Sequence, residues 1–85
     1  MDNQVDINVL FFAISRELTG TKESSLKVKS RISFEELKLQ ICNSFGLEVI
    51  KNNIVLAVNH EYVESGDIIL KNNDELAVIP PLSGG

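Results

Sequence analysis

Phe34, Leu37, Ile41 and Phe45 recur at helical spacing, and no other segment of the 85 residues carries an apolar stripe long enough to roof a sheet. The limits of this helix are written beside it. Ser33 is an N-cap with Glu36 three residues on, the spacing of a capping box, while Ile32 and Leu37 stand where a hydrophobic staple closes. Gly46 supplies a left-handed stop. One helix has one face to bury, so the rest of the apolar sequence must form strands that pack beneath it.

Those strands are legible by alternation. Val5, Ile7, Val9 and Phe11 share one parity before Phe12 makes the segment apolar on both sides, which marks a strand that becomes central. Ala13 to Leu18 reads as a short helix or turn ended by Gly20, and Ser24 to Lys29 alternates again as a second strand, antiparallel to the first. After the helix come the apolar run Ile54 to Asn59, a turn at Asn59-His60-Glu61, a short pairing segment at Tyr62-Val63, the stretch Ile68-Ile69-Leu70, and a last strand over Glu75 to Ile79. The order predicts an α+β, ubiquitin-like β-grasp in which a mixed sheet packs on one main helix. In that arrangement the first and last strands lie side by side at the centre, and Phe11-Phe12 and Leu76-Ala77-Val78-Ile79 have the two-sided apolar character it demands. A chain of this length is one domain; residues 1–79 are its body and residues 80–85 a flexible tail.

Several function classes are unsupported. No run of about 18 apolar residues is present, so no membrane span is expected, and the acidic start Met1-Asp2-Asn3-Gln4 lacks the basic region of a secretory signal. A lone Cys42 allows no internal disulfide and suits a reducing, cytoplasmic setting. Residues 1–60 carry seven acidic and seven basic side chains, whereas residues 61–85 carry five acidic groups against Lys71, so the formal charge of −4 is all in the last quarter. That balance disfavours nucleic acid and suits a basic docking face.

The tail is the chemically suggestive segment. Pro80 and Pro81 each fix φ and lack an N–H, so they end the strand and stiffen the start of the tail. Gly84 and Gly85 have no Cβ and leave the last carboxylate sterically open. Six extended residues reach about 20 Å, far enough to enter a partner's active site.

Three pieces together resemble the family of molybdopterin synthase small subunits: Val9-Leu10-Phe11-Phe12-Ala13, Val58-Asn59-His60-Glu61-Tyr62-Val63, and Asp74 to Gly85 with its Pro-Pro-x-Ser-Gly-Gly ending. The resemblance implies a sulfur carrier of molybdenum cofactor synthesis. A ubiquitin-activating-type adenylyltransferase/sulfurtransferase would use ATP to adenylate Gly85, a sulfur donor would convert it to a thiocarboxylate, and the tail would enter the synthase large subunit to give sulfur to cyclic pyranopterin monophosphate. The family forms a heterotetramer of two small and two large subunits. No bound cofactor or metal is implied. Gly85 carries the reacting carbonyl, while Pro80, Pro81, Leu82, Ser83 and Gly84 form the inserting tail; Phe11, Phe12 and Ile79 are candidates for apolar partner contact, with core packing as their competing explanation.

Other side chains read as ordinary. His60 is expected on the surface of its turn, and Cys42, beside Ile41, as a half-buried core thiol. One histidine cannot make a catalytic triad argument, and neither a metal-ligand spacing nor a phosphate loop is present. The alternatives are a carrier for thiamine or tRNA thiolation, a ubiquitin-like protein modifier joined through Gly85, or an interaction module with an inert tail.

Overall fold

The computed structural model describes residues 3–80. The elements run β1 (Gln4–Phe11), α1 (Ile14–Thr19), β2 (Glu23–Lys29), β3 (Arg31–Ser33), α2 (Phe34–Phe45), a 3₁₀ helix (Glu48–Asn53), β4 (Val55–Val58), β5 (Glu61–Val63), β6 (Asp67–Ile69) and β7 (Glu75–Ile79). Five strands form the main sheet in the order β2-β1-β7-β4-β5. The first and last strands are adjacent and central, and they run parallel with Asn8 opposite Glu75 and Phe11 opposite Val78. The β-grasp expectation therefore holds.

Alternation decides what each strand buries. Ile7, Val9 and Phe11 of β1, Leu76 and Val78 of β7, and Leu56 of β4 turn to the same side and are at most 1% exposed. There they meet Leu37, Ile41 and Cys42 of α2, with Phe34 and Phe45 closing the ends of the stripe. Phe11 and Phe45 pack edge to face with ring centroids 4.9 Å apart. At the start of α2 the Glu36 N–H donates to Ser33 Oγ at 3.1 Å. The Glu36 carboxylate lies 2.8 Å from Lys29 Nζ, which ties the helix start to β2. Ile32 and Leu37, the two staple positions, are both buried in the core, and Gly46 ends the helix at φ 69°.

Two pieces go beyond the sequence reading. β3 pairs with β6 as a separate antiparallel ribbon, Arg31 opposite Ile69 and Ser33 opposite Asp67. Leu47 to Asn53 holds a 3₁₀ helix rather than open loop. Three-residue strands and a two-turn 3₁₀ helix are too short to show a period, so tertiary contacts decide them.

Candidate functional site

The face of the sheet turned away from α2 carries the exposed side chains of Phe12, Val55 and Tyr62. Strand parity selects its members. Leu10 is opposite Ala77, Ala77 is opposite Ala57, and Ala57 is opposite Tyr62, so one row crosses four strands. Its two central positions are alanines, and the low floor they make lies between larger side chains. The resulting trough, of about 240 Å³, is lined by Leu10, Phe12, Ala57, Tyr62, Ala77 and Ile79 together with His60 and Glu75. Phe12 is 40% and Tyr62 71% exposed, large values for aromatic side chains on one face.

The structure sorts the three apolar contact candidates. Phe12 and Ile79 line the trough. Phe11 does not: it is 0% exposed on the helix side of β1, because neighbouring residues of a strand point to opposite faces. Pro80 also departs from its expected place. It is buried, so the packed body extends one residue into the segment read as tail. Gly85 and the tail residues Pro81, Leu82, Ser83 and Gly84 lie outside the described residues. Leu10, Ala57, Ala77 and Tyr62 were not singled out from sequence, although the parity that places Phe12 also places Leu10, and the parity that places Ile79 also places Ala77.

One end of the trough is pinned by side-chain hydrogen bonds. Asn59 and His60 have φ 48° and 74°, the pair of positive values that a two-residue type I′ hairpin turn needs. The Asn59 N–H donates to the Glu75 carbonyl at 2.8 Å and the Glu75 N–H returns a bond to Asn59 Oδ1 at 2.9 Å. Asn59 Nδ2 donates to Asp74 Oδ1 at 3.1 Å, while the Lys71 N–H donates to Asp74 Oδ2 at 2.8 Å. The Lys71 backbone bond first, then Asn59, hold the Asp74 carboxyl below its ordinary range. Asp74 thus works as a knot for the turn. Asp74 and Glu75 sit at the start of β7, so part of the acidic quarter is separated from Ile79 by the length of that strand.

His60 is exposed, with Nε2 3.8 Å from Glu75 Oε1. Cys42 is fully rather than half buried. Burial pushes its thiol pKa up, against the thiolate that persulfide chemistry requires. Among the described residues no three His, Cys, Asp or Glu side chains gather as metal ligands, and no helix is long and apolar enough to cross a membrane. The feature of the described surface that stands out is the exposed, largely apolar trough.

Comparison with known proteins gives concordant results. The model of the ThiS family matches residues 9–85. The molybdopterin synthase sulfur carrier subunit of Drosophila melanogaster is 47% identical over 83 residues, which cover 95% of this chain and 92% of that protein. In solved structures, the small archaeal modifier protein 1 from Methanosarcina acetivorans aligns with a TM-score of 0.74 and 25% identity over 98% of this chain and 99% of its own. A complex of subunits 1 and 2 of the molybdopterin-converting factor from Helicobacter pylori contains a chain that aligns with a TM-score of 0.68 and 21% identity, covering 95% of this chain and all of that one (100%); this match speaks to the fold.

Proposed function

Because the chain belongs to the ThiS family, we propose that it is the sulfur carrier subunit of a molybdopterin synthase and that Gly85 is the sulfur-bearing end of that carrier. The observation that carries this reading is the 47% identity, over nearly the whole of both chains, to a protein with that name, joined to the motif Pro-Pro-Leu-Ser-Gly-Gly at residues 80–85. The division of labour is a body that docks and a tail that reacts. An activating enzyme would use ATP to convert the Gly85 carboxylate into an acyl adenylate, since a carboxylate repels nucleophiles and lacks a good leaving group. A sulfur donor then displaces AMP and leaves a thiocarboxylate. Held by its docked body, the tail presents that sulfur to the pterin precursor at high effective concentration. Cytoplasmic location belongs to the same proposal.

The large subunit and the activating enzyme are the proposed partners, and the outer sheet face is the proposed contact. An exposed apolar trough flanked by aromatic side chains has the composition of an interface centre. In the Helicobacter pylori complex a subunit of this fold is bound to a second subunit, which supports a large-subunit partner. Phe12→Ala and Tyr62→Ala are each expected to weaken binding to the large subunit about tenfold or more, while changing stability by less than about 1 kcal/mol. Titration calorimetry beside urea unfolding checks both. Unchanged affinity in the two variants would move the contact off this face.

The reading itself is tested by mass spectrometry after incubation with activating enzyme, ATP and a sulfur donor. One oxygen exchanged for sulfur, located to Gly85 by fragmentation, is the expected result; localisation separates it from oxidation at Met1 or Cys42. Products larger than the free chain that survive reducing agents would instead favour a protein modifier, the activity in the name of the archaeal relative.

A further inference from the structure

Parallel strands bond in an even, slanted rhythm, alternate residues of one strand reaching a carbonyl and an amide on either side of their partners. Along β1 and β7 the Asn8 N–H donates to the Asp74 carbonyl at 2.8 Å, and the Phe12 N–H to the Val78 carbonyl at 3.2 Å. The next rung would be an N–H of residue 80 donating to the Phe12 carbonyl. Residue 80 is proline, so that donor does not exist.

Ser15 takes its place. Its side-chain hydroxyl donates to the Phe12 carbonyl at 2.6 Å, with a longer approach of 3.3 Å to the Val78 carbonyl, and accepts from the Phe12 N–H at 3.0 Å. The Ser15 N–H donates to the same Phe12 carbonyl at 3.1 Å. Ser15 is 0% exposed and is the one buried polar residue among the described residues. The turn that brings it there is strained, because Ala13 holds φ 53° and ψ −130°, a conformation in which glycine is usual. A hydroxyl buried at a strained turn therefore closes the ladder at the point where the chain departs from it.

We propose that Ser15 is a positioning residue for sulfur transfer: by holding the Phe12 backbone and reaching the Val78 carbonyl it fixes the end of the β1–β7 ladder, and with it the position of Pro80, from which the reacting segment continues. This rests on the sulfur-carrier reading. Docking depends on Phe12, Ala57, Ala77 and Tyr62, whereas delivery depends on where the tail begins, so the two are separable in a kinetic experiment.

The test uses the full chain carrying a chemically installed C-terminal thiocarboxylate, with excess large subunit and the pterin precursor. Ser15→Ala is expected to slow single-turnover transfer about tenfold at saturating large subunit, with the dissociation constant within about twofold of wild type. Ser15→Thr, which keeps the hydroxyl, should restore most of the rate. In native-state hydrogen exchange the Phe12 amide of Ser15→Ala should exchange about tenfold faster while those of Val9 and Leu56 do not change. An unaltered saturated rate, or a loss that follows weakened binding, would overturn the proposal. So would an unaltered Phe12 amide. If wild-type thiocarboxylated protein transfers no sulfur, the carrier reading fails instead, and the exchange result alone decides whether Ser15 fixes the end of the ladder.

Discussion

Removal of Gly84 and Gly85, or the addition of a single alanine after Gly85, is expected to abolish sulfur transfer while leaving the urea midpoint where it was. Deletion takes away the carbonyl on which the proposed chemistry depends. Extension keeps every native residue but moves the carboxylate by one residue and puts a Cβ at the reacting end, which is the more stringent case. Misplacement of a reacting group by an ångström costs about a hundredfold, and one residue spans about 3.5 Å. Gly84 and Gly85 have no side chain to bury, so the stability change should stay within about 0.5 kcal/mol. Single-turnover transfer and equilibrium unfolding, measured on the same preparations, give the answer. An extended protein that still transfers sulfur at the wild-type rate would remove Gly85 from the mechanism. A large fall in midpoint would mean that the tail is part of the fold.

Phe11→Ala should have the opposite signature. Phe11 is fully buried and meets Phe45 edge to face at 4.9 Å, so truncation removes a large apolar side chain and leaves a cavity under α2. The expected cost is about 3 to 5 kcal/mol. A domain of this size has a total stability of roughly 4 to 13 kcal/mol, so the variant should be severely weakened or largely unfolded at 37 °C. Its neighbour provides the control. Phe12→Ala should unfold near the wild-type midpoint but bind the large subunit poorly. Denaturant titration of the two variants side by side would expose an error in either direction: a stable Phe11→Ala protein that fails to dock would return Phe11 to the interface.

Most of the architecture was legible because the long elements obey simple periods. The helix was written by Ser33, the stripe through Phe45 and Gly46, and the central strands by apolar residues on both faces. What escaped was short or relational. β3 and β6 have three residues each, and only their pairing makes them strands. The trough was half visible: Phe12 and Ile79 could be nominated as apolar residues, but Ala57 and Ala77 become a floor only once the register aligns them with Leu10 and Tyr62. Phe11 was nominated beside Phe12 because a double-sided strand end does not say which ring faces the helix. Ser15 gave no signal at all. A serine in a short helix is unremarkable until the Phe12 carbonyl, deprived of a donor by Pro80, is found beside it.

The pairing of β1 with β7 also sets a condition on biosynthesis. β7 is inserted between β1 and β4, which have no ladder with each other. A nascent chain that has not yet extruded Glu75–Ile79 can form the β1–β2 hairpin and the α2 helix but cannot close the sheet between Val9 and Leu56. Contacts between residues as distant in sequence as Asn8 and Glu75 make folding late and comparatively slow. Ala77 reaches the floor of the trough in the same event. A chain truncated before β7 would therefore lack both the closed sheet and the Ala77 floor of the trough.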